Sequence, residues 1–151
     1  MRLSSLADYA VVLIAAAARH CGATKMNATT LSAETGIPLP TAQKLVSRLS
    51  AAGLLESSRG TGGGVRLSRP PAAITLADVV EAVEGPIAVT ACSEQGAHDC
   101  NLEPDCRVRP HMIAANRAVR SALAAVTIAS LARNAPEEPP FAPTPVEQIA
   151  L

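Results

Sequence analysis

Two short helices hinged at one glycine, followed at once by a hairpin with a tip that is mostly glycine, leave a chain few ways to fold. Thr30 is placed to cap a helix Leu31–Thr35, Gly36 stops it, and Pro40 suits the first turn of a second helix that runs to Ala52 and ends at Gly53. Along that second helix Ala42, Leu45, Val46, Leu49 and Ala52 share one face, while Thr41, Gln43, Lys44, Ser47 and Arg48 project from the other. One face packs and the other is polar and basic. The segments Leu54-Leu55-Glu56-Ser57 and Val65-Arg66-Leu67-Ser68 then read as two strands around a turn at 58–64. A small residue in the first helix (Ser32), a glycine turn and a polar second helix are the parts of a helix-turn-helix, which offers its second helix to base edges and phosphates in the major groove. Arg59 to Gly64 resemble a dinucleotide-binding glycine loop only superficially. That loop must open a helix, and here a strand follows; nor is there the Gly-Lys-Ser/Thr of a phosphate loop. A bare tip at Gly60, Gly62 and Gly63 instead suits a wing whose backbone approaches phosphates, with Arg59 placed to enter the minor groove.

Charge points the same way. Residues 1–70 carry eight Lys/Arg against three Asp/Glu, and residues 71–151 carry five against ten, so a front half of +5 meets a back half of −5 in a chain of zero net charge. Only Tyr9 and Phe141 are aromatic, which argues against stacking platforms for single strands and leaves duplex DNA as the nucleic-acid partner. With 48% hydrophobic and 17% charged residues the chain has the material for a core. Its longest apolar run, Ala10–Ala18, is about half of what a membrane span needs, so no membrane partner is expected. That run belongs to a first helix from Leu6 to about His20, capped by Ser4 or Ser5. Being apolar on every side, it is expected in the core, with a second subunit as one possible cover. The absence of a small-residue cleavage site after it makes it part of the fold and not a secretory signal, so a cytoplasmic location is expected.

Downstream, Thr75 caps a helix Leu76–Glu84 with Asp78 in the capping-box position, and Gly85-Pro86 ends it. Residues 87–110 show no sustained period and read as a loop. A long helix, 111–126, follows, with Met112, Ala115, Val119, Ala122 and Val126 as an a/d seam suited to pairing within a dimer. Thr127 caps a last helix to Arg133, and residues 134–151, with five of the twelve prolines, read as a disordered tail. The expected division is a DNA-binding unit at 1–70, a linking helix at 71–86, a cysteine loop at 87–110, dimerisation elements at 111–133 and the tail. The expected fold is mainly α with a small β-hairpin: a winged helix-turn-helix plus a long C-terminal dimerisation helix. No Ser/His/Asp order in a plausible frame, no H-E-x-x-H and no activated Cys-His pair in a pocket-forming context supports an enzyme.

Cys92, Cys100 and Cys106 are separated by seven and five residues. Three thiols in a reducing compartment, odd in number, point to a metal site before disulfides. Soft thiolates select zinc, copper(I) or iron-sulfur, and the close Cys pairs usual in structural zinc sites are missing. Cys21 stands apart as a small buried hydrophobe.

The opening Met1-Arg2-Leu3, the segment Ala7-Asp8-Tyr9-Ala10, the helix-turn-helix, the wing Arg59 to Leu67 and the three downstream cysteines together resemble the IscR-type (Rrf-two) winged-helix transcription regulators over residues 1 to about 133. Among them the chain looks most like regulators of the SUF iron-sulfur assembly operon. The resemblance implies a homodimer on palindromic operator DNA, contacted through Arg2, Thr41, Gln43, Lys44, Arg48, Arg59, Gly60, Gly62 and Gly63. It also implies an iron-sulfur cluster, 2Fe-2S or 4Fe-4S, on Cys92, Cys100 and Cys106, so that a repressor senses cluster supply and controls iron-sulfur assembly genes. One branch of the family has a histidine three residues after its last cysteine, where this chain has Arg109. Nitric-oxide-sensing relatives combine three cysteines with an aspartate in the first helix, which makes Asp8 of a partner subunit the first candidate for a fourth ligand and His111 the second, ahead of His98, Asp99 and Asp105. The alternative is a winged-helix regulator that senses nitric oxide or thiol redox state through the same cysteines, with zinc or no cluster.

Overall fold

A computed structural model describes residues 3–20, 26–93, 100 and 106–133. In order the elements are α1 (Ser5–Arg19), α2 (Ala28–Thr35), α3 (Leu39–Ala51), β1 (Leu55–Ser58), β2 (Gly64–Leu67), α4 (Leu76–Glu84), α5 (Arg109–Ala124) and α6 (Ile128–Ala132), with 3-10 turns at Pro71–Ala73 and Ala91–Ser93. The Cys21, His98, Asp99, Asp105, Arg2 and 134–151 readings lie outside the described residues.

The helix α1 is the post around which the rest is built. Ser4 caps it, its hydroxyl accepting from the Ala7 N–H, and Ala10, Leu13, Ile14 and Ala15 through Ala18 are buried. Alanine has the best helix propensity and the smallest side chain short of glycine, so neighbours approach this helix closely from several directions. α2, α3, α4, α6 and β2 all do so. Its remaining face is open, with Asp8 and Tyr9 exposed and Val12 at 42% exposure.

The core joins Leu31 of α2, Leu45 and Leu49 of α3, Ile74, Val79 and Val83 around α4, and Ile128 of α6. The 71–86 stretch expected as a link is therefore packed into the same core as the helix-turn-helix, since α4 buries Ala77, Val79, Val80 and Val83. Its start is as the sequence indicates: the Thr75 hydroxyl accepts from the Asp78 N–H while the Asp78 carboxylate accepts from the Thr75 N–H.

Three expectations change. α2 starts three residues before Leu31, because Asn27 and not Thr30 is the cap: Asn27 Oδ1 accepts from the Thr30 N–H and Thr30 Oγ1 accepts from the Asn27 N–H, a reciprocal box in which Thr30 is the inner partner. α5 starts at Arg109, where Pro110 falls in a first turn that needs no N–H from it. It also stops at Ala124, so Val126 leaves the proposed seam. The Val126 carbonyl accepts from the Leu76 N–H at 2.8 Å, and Thr75 and Thr127 form an antiparallel bridge beside it. Of the other seam positions Met112 and Val119 are half-buried and Ala115 and Ala122 exposed, and no described residue of α5 is fully buried within the chain.

Glu34 of α2 joins the ends of the first two helices, accepting from Arg19 Nη2 at 2.9 Å and lying 2.8 Å from His20 Nε2. The Arg19 hydrogen bond is the main reason the Glu34 carboxyl lies below its ordinary pKa; partial burial opposes it and His20 adds to it. A depressed carboxylate gives stability that is present above its unfolded pKa and lost as pH falls through the folded one. Glu34→Gln is therefore expected to lower the urea midpoint at pH 7 slightly, by less than about 1 kcal/mol equivalent for a partly exposed pair. The two proteins are expected to converge as the pH falls through the wild-type carboxyl's lowered pKa.

Candidate nucleic-acid interface and cysteine segment

The turn between α2 and α3 is closed by three local bonds. Gly36 takes the left-handed conformation at φ 74°, which ends α2, and its N–H donates to the Ser32 carbonyl at 2.9 Å. The Ser32 hydroxyl donates across the turn to the Ile37 carbonyl at 2.6 Å, and the Thr35 hydroxyl donates to the Leu31 carbonyl at 2.6 Å. A larger residue at 32 would lose the bridge that sets the angle between the helices. On α3, Gln43 and Lys44 are exposed and Thr41 half-buried, all near the N-terminal end that a recognition helix presents to bases.

Arg48, exposed on the same helix, also has a partner within the chain. Its Nη1 donates to the Val83 carbonyl at 2.8 Å, so the guanidinium is engaged with the end of α4. The last carbonyls of a helix lack partners within it and carry its negative dipole end, and α4 has no basic residue in its own last turn. A helical wheel of α3 cannot show this, because it displays which face a residue occupies and not which neighbouring helix ends against that face.

The wing is an antiparallel pair with Leu55 opposite Leu67, Glu56 opposite Arg66, Ser57 opposite Val65 and Ser58 opposite Gly64. The Val65 N–H also donates to the Met26 carbonyl, which ties the wing to the segment before α2. Arg66 lies 2.7 Å from Glu56 in an exposed cross-strand ion pair, so the charges of that pair largely cancel. Arg59 is exposed at the tip and pairs with no described residue. The tip glycines have reasons of their own. Gly60 and Gly62 adopt positive φ, and a Cβ on Gly63 would stand 2.3 Å from the Ser58 carbonyl oxygen. The Gly63 N–H in turn donates to the Gly60 carbonyl at 2.8 Å.

Cys92 sits in the 3-10 turn Ala91–Ser93, with its Sγ 3.3 Å from Thr90 Oγ1, and Cys92, Cys100 and Cys106 are all free thiols, half-buried. That turn packs on α5, and the Val89 N–H donates to Asn116 Oδ1 of α5 at 2.9 Å. As donors, three unpaired thiols suit a soft metal centre. In geometry, the described residues bring no group of three or more His, Cys, Asp or Glu together. Asp8 lies in the first turn of α1, complementing the helix dipole, and His111 is exposed in the first turn of α5; among the described residues neither joins the cysteines in a group of three or more.

An α2–turn–α3 pair with a β-hairpin wing defines the winged helix-turn-helix fold. Residues 3–134 match the Rrf2 family, described as iron-dependent transcriptional regulators, and the chain belongs to that family. It is 39% identical over 94 residues to protein aau3 of Rhizobium meliloti, covering 62% of this chain and 61% of that one. It is 37% identical over 100 residues to the HTH-type transcriptional regulator IscR of Vibrio cholerae, covering 66% of this chain and 57% of that one. The chain thus spans about three fifths of the length of these relatives. With the regulator NsrR of Geobacillus kaustophilus it shares 30% identity over 131 residues, 87% of this chain and 89% of that one. Among solved structures, CymR of B. subtilis, the global cysteine regulator, superposes with a TM-score of 0.68 at 26% identity, over 87% of this chain and 96% of that one. No described helix is long and apolar enough to cross a membrane.

The Gly63 contact predicts that Gly63→Ala opens the tip. Loss of the Ser58–Gly64 pairing in amide exchange and a lower melting temperature are expected, with the helical signal kept; a variant with wild-type exchange at the tip would refute the close packing.

Proposed function

We propose that this chain is a homodimeric repressor that binds palindromic duplex operator DNA and senses iron-sulfur cluster status through Cys92, Cys100 and Cys106, controlling iron-sulfur assembly genes from the cytoplasm. The observation that carries the reading is the placement of Cys92: three free thiols lie on the connection between α4 and α5, and α4 packs on α3. Thr41, Gln43 and Lys44 would face the major groove, and Arg59 with the bare backbone of Gly60, Gly62 and Gly63 the minor groove and phosphates. Arg2, just before the described residues, would add a phosphate contact. The half-exposed face of α5, with Met112 and Val119, would pair with its copy in the dimer.

When bound, a cluster would supply a redox- and iron-responsive cross-link between the three thiolates, 2Fe-2S or 4Fe-4S. Asp8 of a partner subunit or His111 would complete the donor set. An oxygen donor at one position holds iron less firmly than a thiolate, which suits a cluster that must be lost to signal. The chain's own contribution is mechanical: the segment 87–108 joins α4 to α5, so its degree of order bears on both.

The test is anaerobic purification followed by the visible spectrum and by iron and sulfide analysis. A brown protein with stoichiometric sulfide that is colourless as Cys92→Ser is expected; Asp8→Ala and His111→Ala then assign the fourth ligand. A colourless wild type that still binds duplex DNA would replace the cluster with zinc or thiol redox sensing, nitric oxide included.

The wing reading has its own test. Arg59→Ala is expected to weaken duplex binding and to lower the slope of log affinity against log salt by about 0.9, one phosphate's worth, with the fold intact. Unchanged binding would sink the assignment.

A further inference from the structure

We propose that Arg48 is a positioning residue: by holding the Val83 carbonyl it sets the angle of α3 against α4, so that operator-specific binding follows the placement of α4. The inference rests on the reading that α3 faces DNA. Arg48 lies in the last turn of α3, away from the N-terminal end that reaches into the groove, and it is the cation supplied to the negative end of an α4 that has none of its own. α4 is in turn tied to other parts of the chain by two carboxylates of its C-terminal half. Its Glu84 carboxylate accepts from the Ser4 N–H at 2.8 Å, at the head of α1. Its Glu81 takes both Nε and Nη2 of Arg120 on α5, at 2.8 and 2.9 Å. Arg48 is thus the hydrogen-bonded joint through which the recognition helix meets an element that also carries α5 and, through α5, the turn that holds Cys92.

The geometry separates this role from a phosphate contact. A side chain that neutralises a phosphate contributes to affinity on any duplex and to the salt slope. A side chain that sets the angle of α3 contributes only where two recognition helices must fit two half-sites at once, and leaves the slope alone.

The probes are a duplex of about 30 base pairs, selected by the wild-type chain from a random-sequence pool and long enough for two half-sites one turn apart, and an unselected duplex of equal length. Arg48→Met and Lys44→Met are compared on both across a range of salt, with folding checked by circular dichroism. Lys44→Met is expected to lower the salt slope by about 0.9 on both duplexes. Arg48→Met is expected to weaken the selected duplex by about tenfold, an ordinary size for coupling between two sites, with the slope and the unselected duplex unchanged. If Arg48→Met lowers the slope as Lys44→Met does, Arg48 is a phosphate ligand and the proposal fails while the α3 reading stands. If Lys44→Met changes nothing on either duplex, the α3 reading fails and takes the proposal with it. Should Arg48→Met not fold, the wild type decides. The carbon resonance of the Val83 carbonyl, followed by NMR as the selected duplex is added, is expected to keep its hydrogen-bond coupling to Arg48; loss of that coupling on DNA would overturn the proposal.

Discussion

A helix that is apolar around its circumference from Ala10 to Ala18 cannot be satisfied by one layer of neighbours, and this governs the arrangement of nearly everything else. The helix-turn-helix covers one side of α1 through α2 and α3, and the chain must come back after the wing to cover another with α4 and α6. Because the buried positions include five alanines between residues 10 and 18, each covering helix sits close, and small shifts of one are felt by the others. The winged helix-turn-helix and the part that follows it therefore share a core. Ile128, near the end of the described chain, is buried in the same cluster as Leu13 and Leu45.

Within that core α4 has an unusual share of long-range polar bonds for a helix of nine residues. Its N-terminus combines its own capping box with the Val126 carbonyl, which takes the Leu76 N–H, and its last turn meets other elements: Arg48 of α3 on the Val83 carbonyl, and the Ser4 N–H at the head of α1 on the Glu84 carboxylate. The Ser4 bond also holds the Glu84 carboxyl below its ordinary pKa, against a smaller opposing push from burial. Helix ends are where backbone groups go without internal partners. When those partners come from distant residues, the helix end becomes a junction and its orientation is shared by everything that meets there.

Local chemistry made much of this legible in the sequence. Gly36, Pro40, the Thr75–Asp78 box and the alternation around the glycine tip gave helix-turn-helix, wing and α4 to within a few residues, because caps and turns depend on near neighbours alone. Thr30 was misplaced as a cap because a capping box has two hydroxyl or amide partners, and the sequence does not say which of Asn27 and Thr30 is the outer one. Val126 was misplaced on the α5 seam because spacing alone cannot reveal that its carbonyl is taken by the Leu76 N–H. The Arg48 bond to the Val83 carbonyl is likewise invisible in the sequence, since its partner lies 35 positions away. The cysteines were readable as a donor set from their chemistry, whereas their convergence depends on the fold of the intervening chain.

The attachment of α5 has a further physical consequence. No described residue of α5 is fully buried within the chain, and its bonds to α4 and to the Cys92 turn run through exposed groups, Arg120 and Val89. An exposed ion pair is worth about 1 kcal/mol or less. A helix held this weakly has neighbouring placements within a few kcal/mol of one another. A ligand on the 87–108 segment that favours one placement by about 2.7 kcal/mol changes its population relative to the others by about a hundredfold. The tightly packed α1, α3 and α4 share one core and do not bend to such energies individually. A well-packed helix-turn-helix core joined to a more exposed helix through a few polar bonds thus has the mechanical parts of a switch.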